Sequence, residues 1–297
     1  MLSGGSVRVG GTSASRRATP LLVMTLVGAL VGTAGCAGIG MFRQARESAA
    51  VPERPLSRPI DADLLRHRLV AQQPEWPTGR LPAGPGFRTV DCSRIKCVAL
   101  TFDDGPGKYT ARLLDILAAH NARATFFVIG RNITREARPH LVRMVAEGHE
   151  IGNHTWSHPD LTRLSPAKLA EEMAKTNRLV KAYTGTEPHT LRPPYGTTNA
   201  RVAKEAKRQG LAQILWTIDT NDWQERKTDV VVKRVTAAKP GAIVLLHETA
   251  ATTVAGVPKM LEYFNRQGYT YVTISELFGE QYLQPGEKYR EHAGMIQ

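Results

Sequence analysis

Two neighbouring aspartates end an apolar run in the stretch LTFDDGPGKY, and they are the first residues of the chain whose spacing suggests chemistry. Carboxylates as close as those of Asp103 and Asp104 raise the pKa of one member of the pair unless a positive charge lies nearby. The pair therefore indicates a cation at this point of the fold.

A pair of histidines in HTWSH, His154 and His158, offers ligands for such a cation. Imidazoles four residues apart can point the same way from a helical turn or a tight loop, and one carboxylate added to them completes a three-ligand zinc site with an open position for water. The spacing alone more often marks two ordinary histidines, but the aspartate pair favours the metal site. Zinc would neutralise Asp104 and lower the pKa of a bound water from about 15.7 to about 7. Asp103 would then stay ionised as a base, paired with and oriented by Arg192.

The elements that must position these residues are short apolar runs that alternate with amphipathic segments from Cys97 onward. This alternation predicts parallel strands with crossover helices, hence an α/β barrel or an open sheet. The predicted strands lie in 97–102, 123–130, 149–154, 190–193, 212–218, 242–248 and 269–274, and the predicted helices in 110–121, 136–148, 165–185, 199–210, 228–239 and 254–268.

The polar candidates follow the strands, where such folds place their functional groups. They are Asp103 and Asp104 after the first strand, His154 and His158 after the third, Arg192 and Tyr195 after the fourth, Asp219 and Asp222 after the fifth, and His247 at the end of the sixth. Loops at one rim are expected to bring them together.

The 297-residue chain has a net charge of +12 and is 42% hydrophobic, which suits a globular protein with an anionic partner. We predict no nucleic-acid binding, because the sequence has no phosphate-cradling glycine loop, no zinc-finger spacing and no interleaved basic and aromatic stripe.

The N-terminal region has the features of an export signal, since Arg16 and Arg17 precede an apolar segment at 21–38 that ends in small residues. Cys36 stands where a lipoprotein cysteine would be lipidated, so residues 1–36 are predicted to be a lipoprotein signal, a cleaved signal peptide or an uncleaved membrane anchor. Residues 37–90 are rich in proline and arginine and are predicted to be a tether. Each alternative places the bulk of the chain outside the cytoplasm, either anchored to the cell membrane or secreted.

The two remaining cysteines, Cys92 and Cys97, are too isolated for a zinc site and are predicted to form a local disulfide in an oxidising compartment, with two free thiols as the alternative.

Five short motifs together resemble those of the NodB-homology polysaccharide deacetylases, the family 4 carbohydrate esterases. They are TFDDGP at 101–106, HTWSH at 154–158, RPPYG at 192–196, DTNDW at 219–223 and VLLH at 244–247. The resemblance implies a distorted (β/α) barrel of seven or eight parallel strands. It covers roughly 95–280 and implies metal-dependent removal of acetyl groups from N-acetylated sugars. We predict a single catalytic domain at 91–280, followed by a C-terminal tail at 281–297.

Carried over by position, the resemblance makes Asp103 the general base and His247 the general acid that protonates the departing amine. The implied metal ligands are Asp104, His154 and His158.

The remaining roles support these groups. Arg192 would orient the base, the backbone N–H of Tyr195 would stabilise the oxyanion together with the metal, and Asp222, rather than Asp219, would tune His247. The implied walls of the acetyl pocket are Trp223 and Leu245.

The sequence thus predicts a monomeric enzyme of the bacterial cell envelope that uses Zn²⁺, or Co²⁺ or another divalent transition metal, to deacetylate a cell-wall polysaccharide. N-acetylglucosamine in peptidoglycan is the predicted substrate, with chitin-type or other poly-N-acetylglucosamine and O-acetylated xylan as alternatives. Contact with the membrane would be made through the N-terminal lipid or signal anchor. An alternative from another class is a catalytically silent lipoprotein that binds wall glycan, although such a protein would need neither Asp103 nor His247.

Overall fold

The central strand of the sheet runs from Cys97 to Asp103, and all seven of its residues are buried. The structure, a computed structural model, describes residues 88–279 and 283–292, so that Cys36, the predicted signal and nearly all of the predicted tether lie outside the described residues. In chain order the elements are β1 Cys97–Asp103, α1 Thr110–Ala119, β2 Thr125–Val128, α2 Arg138–Ala146, β3 Glu150–Asn153, α3 Pro166–Thr184, β4 Thr190–Leu191, α4 Ala200–Arg208, β5 Ala212–Ile214, β6 Ile218–Asp219, α5 Thr228–Val235, β7 Ala242–His247, α6 Ala251–Arg266, β8 Thr270–Tyr271, α7 Ile274–Phe278 and β9 Lys288–Tyr289.

The strands form one sheet in the order β6-β7-β1-β2-β3-β4-β5-β9, in which every strand pair is parallel. Strand β8 pairs with the first two residues of β1. It lies on the same edge of β1 as β2, which pairs with the last three residues of that strand. A single antiparallel bridge between Ala242 and Glu291 connects the region after β9 with the start of β7. The predicted distorted α/β barrel is therefore confirmed.

The strand count differs from the expected seven or eight, because nine strands occur among the described residues. The predicted strand at 212–218 is divided into β5 and β6, which lie in different parts of the sheet order. Leu215 N–H donates to the carbonyl of Tyr289, whereas Thr217 N–H donates to that of Ile243, so the chain changes partners within three residues.

The described domain also extends beyond both predicted boundaries. Lys288–Tyr289, expected in a tail, pairs with β5 because Gln213 N–H donates to the Glu287 carbonyl at 2.8 Å. At the other end, the guanidinium of Arg88, expected in the tether, donates to the carboxylate of Glu276 at 3.0 Å. Backbone pairing and a buried carboxylate thus hold residues whose composition alone resembles a linker.

The helix boundaries follow the sequence signals where a cap is present. Ser165 accepts a hydrogen bond from Lys168 N–H at the start of α3, and Gly185 ends this helix in the left-handed conformation with φ 74°. Helix α5 ends at Val235, four residues earlier than predicted, and α6 begins at Ala251, three residues earlier. Within the described ranges, no helix combines the length and the apolar character that crossing a bilayer requires.

Alternation along β1 explains why its last residue faces the interior of the barrel. Val98, Leu100 and Phe102 pack in the core between sheet and helices, whereas Cys97 and Ala99 belong to the core inside the barrel. Successive strand residues point to opposite faces, so the inner face continues through Thr101 to Asp103. An apolar strand thus delivers one carboxylate to the inside of the rim.

Candidate active site

The carboxyl ends of the strands surround a cavity of about 440 Å³. The register of the strands places Asp103, at the end of β1, directly beside His247, at the end of β7. Both residues therefore reach the same cavity. Nine of the candidate residues from the sequence line the cavity, namely Asp103, Asp104, His154, His158, Tyr195, Asp219, Trp223, Leu245 and His247. Arg192 and Asp222 are buried behind them.

Three of the lining residues form a cluster that could hold a metal ion. The ligand atoms of Asp104, His154 and His158 all lie within 4.8 Å of one another, and both histidine Nε2 atoms are 3.6 Å from Asp104 Oδ1. Asp104 Oδ1 is buried and has no hydrogen-bond partner among the described residues. Because a buried carboxylate oxygen without a partner is costly, this geometry fits a cation between the three side chains.

The protonation of His154 also suits a metal ligand. Its Nδ1–H donates to the carbonyl oxygen of Arg192 at 2.7 Å, which leaves the lone pair of Nε2 facing Asp104. Burial, together with the positive charges of His158 and Arg192 and against the opposing effect of Asp104, lowers the pKa of His154 to about 3. The imidazole is therefore neutral at physiological pH, as metal binding requires.

The loop that presents the two histidines is held from both ends. Asn153, the last residue of β3, accepts a hydrogen bond from Thr155 N–H at 2.7 Å, and the hydroxyl of Thr155 accepts one from His158 N–H at 3.0 Å. Glu172 of α3 accepts hydrogen bonds from the N–H groups of Trp156 and Ser157 at 2.9 and 2.8 Å. These contacts fix the HTWSH loop without using either imidazole.

Asp104 leaves β1 in the left-handed region, with φ 73°, a conformation that aspartate tolerates better than most residues. Asn132 Nδ2 donates to its backbone carbonyl at 2.8 Å and holds the turn. Because of this turn, Asp103 bonds to Arg192, whereas Asp104 faces both histidines. His154 Nε2 lies between the two aspartates, 3.6 Å from Asp103 Oδ2 and 3.6 Å from Asp104 Oδ1.

Asp103 forms a buried ion pair with Arg192, whose side chain has no solvent exposure. Arg192 Nη1 donates to Asp103 Oδ1 at 2.8 Å and to the Thr101 hydroxyl at 2.6 Å, while Nε and Nη2 donate to the carbonyls of Ile214 and Leu215. The guanidinium is thus fixed on every side.

Burial nevertheless changes the expected titration of Asp103. We expected Arg192 to keep this carboxylate ionised, but burial raises the pKa of Asp103 above its ordinary value, and Arg192 offsets only part of that effect. A carboxylate of raised pKa is a stronger base, so burial moves the pKa of Asp103 towards the range that suits proton transfer near neutrality, while Arg192 limits the rise.

His247 is supported by Asp222, as the sequence predicted in preference to Asp219. Its Nδ1–H donates to Asp222 Oδ1 at 2.6 Å, and its backbone N–H donates to Oδ2 at 2.7 Å. Thr253 completes the arrangement by donating its hydroxyl to Oδ2 at 2.6 Å. Burial opposes the charged imidazole, but the hydrogen bond and charge of Asp222, with the charges of Asp103 and Asp104, raise the pKa of His247 to about 9.

Asp219, the other aspartate of DTNDW, has a separate structural role. Its carboxylate accepts hydrogen bonds from Trp216 Nε1 at 3.2 Å and from Asn221 N–H at 2.9 Å. Trp223 and Leu245 both line the cavity, the former 60% exposed and the latter buried. The motif therefore positions two indole rings as well as the buried Asp222.

Tyr195 lies in a tight turn after β4, with φ 61°. The N–H groups of Gly196 and Thr197 donate to the carbonyls of Pro193 and Pro194 and fix this turn, while the Tyr195 ring packs edge-on against His158 at 4.8 Å. Tyr195 is 68% exposed and lines the cavity.

Three polar residues that complete the site were not predicted from the sequence, namely Thr101, Glu172 and Thr253. Thr101 begins the TFDDGP motif, which assigned it no role, and Glu172 and Thr253 lie in helices, where their residue types are common. Only their long-range contacts identify them, and no local pattern in the sequence carries that information.

The two cysteines near the start of the described chain, Cys92 and Cys97, form a disulfide with a Cα–Cα distance of 5.6 Å. They lie in the core inside the barrel and contribute no group to the cavity.

Comparison with known proteins gives the same family as the motifs. A family model described as polysaccharide deacetylase matches residues 91–214. The chain is 46% identical over 197 residues to the peptidoglycan-N-acetylglucosamine deacetylase of Listeria monocytogenes, covering 65% of this chain and 41% of that protein. It is 44% identical over 162 residues to the chitooligosaccharide deacetylase of a Bradyrhizobium species, covering 53% of this chain and 73% of that one.

A solved structure agrees with these sequence relationships. The family 4 acetyl xylan esterase of Clostridium thermocellum, in complex with a cobalt ion, superposes with a TM-score of 0.63 at 32% identity, covering 67% of this chain and all of that one. The chain spans less than half the length of the Listeria relative, so the similarity to that protein concerns its deacetylase part. With the motifs, the barrel and these similarities in agreement, the chain belongs to the polysaccharide deacetylase family, the family 4 carbohydrate esterases.

Proposed function

We propose that this protein is an extracytoplasmic, metal-dependent hydrolase that removes acetyl groups from N-acetylglucosamine in peptidoglycan. The observation that carries the proposal is the position of Asp103 beside His247 on neighbouring strands, with the Asp104, His154 and His158 cluster next to them. A base and an acid at the two sides of one cavity are what hydrolysis of an amide requires.

The cluster would bind Zn²⁺, with Co²⁺ or another divalent transition metal as a substitute. Two imidazoles and one carboxylate suit such an ion and leave a position open for water and substrate. When bound, the ion supplies Lewis acidity and a water of lowered pKa.

The residues of the chain account for the proton transfers. Asp103 accepts a proton from the attacking water, and Arg192 holds its carboxylate in place through the 2.8 Å bond. The Tyr195 N–H donates to the oxygen on which negative charge develops, a type of contact whose loss typically costs about 10²- to 10³-fold in rate. His247 donates its proton to the departing amine nitrogen, since an amine leaves poorly unless protonated. Acetate and a free amino sugar are the products.

The raised pKa of His247 supports its role as the acid. With a pKa of about 9, the imidazolium is the main form at neutral pH, so the proton is available when the C–N bond breaks. Burial opposes the charged form of Asp222, but the hydrogen bonds from His247 and Thr253 and the charge of His247 together lower the pKa of Asp222 below its ordinary value, so it stays ionised.

The choice of peptidoglycan rests on the Listeria relative and on the export signal predicted in residues 1–36. Attachment to the membrane through Cys36 or an uncleaved anchor, and a monomeric state, are parts of this proposal. The chitooligosaccharide deacetylase and acetyl xylan esterase relatives keep chitin-type oligomers and O-acetylated xylan as competing substrates.

The test is acetate release by the full-length protein, loaded with zinc, from isolated peptidoglycan, N-acetylglucosamine oligomers and acetylated xylan. We expect release from peptidoglycan, with mass spectrometry locating the new amine on glucosamine, and none from the Asp103→Asn variant. Preference for either other substrate would replace peptidoglycan in the proposal. No acetate from any of the three, with binding of glycan retained, would favour the catalytically silent binding protein instead.

A further inference from the structure

A second cavity, of about 340 Å³, lies beside the active site and is not used by the proposed reaction. It is formed by the loops that follow β1, β6 and β7, the same rim that carries Asp103, Asp222 and His247. Trp223, which is 60% exposed, lines both cavities. A sugar chain bound in the active site could therefore continue over Trp223 into this cavity.

The charge of the second cavity is positive and uncompensated. Lys108 and Arg226, both exposed, lie on two of its walls, and no carboxylate in the described part of the chain forms an ion pair with either of them. The Lys108 ammonium lies 4.8 Å from the centre of the Tyr109 ring, which holds it at the edge of the cavity. The cavity thus offers two cations to a ligand.

The acidic residue that lines this cavity, Asp222, forms its ion pair with His247 and not with either cation. One carboxylate oxygen of Asp222 accepts from His247 Nδ1–H, and the other accepts from His247 N–H and the Thr253 hydroxyl. Thr249 and Thr252 also line this cavity. A carboxylate on the ligand would be the complement of this lining.

We propose that this cavity is a subsite for a carboxylate carried by the sugar next to the one that is deacetylated, with Lys108 and Arg226 as its binding residues. The inference rests on the proposed function and makes it more specific, because it identifies an acidic, muramic-acid-containing strand as the preferred substrate over a neutral polymer. Two chemical sources can supply the carboxylate: the lactyl group of a peptide-free muramic acid, and the stem peptide of a substituted one.

The experiment measures acetate release from four substrates, in the presence of zinc, by the wild-type protein and by the double variant Lys108→Ala/Arg226→Ala. The substrates are peptide-free glycan strands, the same strands with the lactyl carboxylate converted to a neutral amide, peptide-bearing strands, and N-acetylglucosamine oligomers. A double variant at two exposed lysines outside the cavity, Lys204→Ala/Lys239→Ala, removes the same net charge and serves as the matched control.

We expect the Lys108/Arg226 variant to raise KM about five- to thirtyfold on the carboxylate substrate with little change in kcat, because two partly exposed ion pairs are lost. On amidated strands and on neutral oligomers KM should stay within about twofold of the wild-type value. Added salt should reduce the preference of the wild-type protein for the carboxylate strand. An effect on peptide-free strands would identify the lactyl group, and one confined to peptide-bearing strands would identify the stem peptide.

An equal rise in KM on amidated and carboxylate strands, or an equal effect of the control variant, would overturn the subsite. Failure of the proposed function would look different, since the wild-type protein would then release no acetate from any glycan. A binding measurement in the Asp103→Asn background separates the two further, because the carboxylate strand should bind about five- to thirtyfold more tightly than its amide without any turnover.

Discussion

Replacing Asp222 with asparagine should move the alkaline limit of activity towards acid pH. In the structure, burial lowers the pKa of His247, and Asp222 is the largest of the effects that reverse this and bring it to about 9. The Asp222→Asn variant keeps the shape of the residue but removes its charge. The pKa of His247 should then fall to or below the ordinary value of about 6.5, because burial is no longer opposed by a directly bonded carboxylate.

The size of the effect follows from the fraction of His247 that is protonated. At pH 8.5 a group with a pKa of about 9 is roughly three-quarters protonated, and one with a pKa of about 6.5 is roughly one-hundredth protonated. At pH 5.5 both are almost fully protonated. The ratio of wild-type to variant kcat/KM should therefore grow by roughly 70-fold between these two pH values for a variant pKa of about 6.5. A bound cation offsets the charges of Asp103 and Asp104, which sets this figure as an upper value.

The assay is acetate release at saturating zinc between pH 5.5 and 9, and the ratio of the two profiles cancels ionisations that both proteins share. Asp219→Asn is the matched control, because Asp219 belongs to the same motif but bonds to Trp216 and Asn221. Its ratio to the wild-type protein should stay flat. Parallel profiles for Asp222→Asn and the wild-type protein would refute the conclusion that Asp222 sets the pKa of His247.

The raised pKa of His247 also makes the free energy of unfolding depend on pH. A difference of about 2.5 pH units between the folded and unfolded pKa of His247 corresponds to about 3 kcal/mol. Because the folded value is the higher one, this contribution is fully present below about pH 6.5 and is lost as the pH rises through about 9. Urea unfolding of the metal-free protein should show the loss over this window in the wild-type protein, and a much smaller one in Asp222→Asn.

Three further perturbations have outcomes that the contacts define. Arg192→Met should lower the free energy of unfolding by about 3–5 kcal/mol, because it leaves Asp103 buried without a cation, and adding Asp103→Asn should recover part of the loss; fully additive losses would contradict a buried ion pair. His158→Ala should abolish the stabilisation by zinc, about 2.7 kcal/mol at a hundredfold excess over Kd, in a thermal unfolding scan; an unchanged zinc shift would exclude this cluster. Cys92→Ser/Cys97→Ser should cost about 2 kcal/mol in urea unfolding, from a bridge with a sequence separation of 5, with kcat/KM retained; a loss of activity in the folded variant would point to a role in the site.

The fold was predictable from the sequence where the elements are long enough to show a pattern. Strand β1 is a seven-residue apolar run, and α3 has a capping serine at its start and a glycine at its end. Strands β6 and β9 have two residues each, which is too short for any periodicity, and their positions depend on backbone pairing with distant strands. The sequence therefore predicted the barrel but not the way it is completed.

The site residues were predictable because their chemical types are unusual at strand ends, and the structure brings the predicted side chains to one cavity. Their energetics were not predictable in the same way. Burial raises the pKa of Asp103 against the effect of Arg192, and the sequence showed the ion pair but not the desolvation that exceeds it. Desolvation depends on everything that packs around a group, and the residues around this one come from several strands.

Gly105 and Glu248 illustrate why contacts of this kind leave no trace in the sequence. A Cβ atom at Gly105 would lie 1.3 Å from Glu248 Oε1, so the glycine of TFDDGP is required by the space that this buried carboxyl group fills. The other oxygen of Glu248 accepts from the Thr110 hydroxyl, which in turn accepts from Gly107 N–H at 2.8 Å. Burial raises the pKa of Glu248 to about 8, so at neutral pH the group is mainly uncharged and adds little repulsion to the aspartates. One side chain, next in sequence to the proposed acid, thus supports the loop that carries the proposed base, and this coupling exists only once β1 and β7 are side by side.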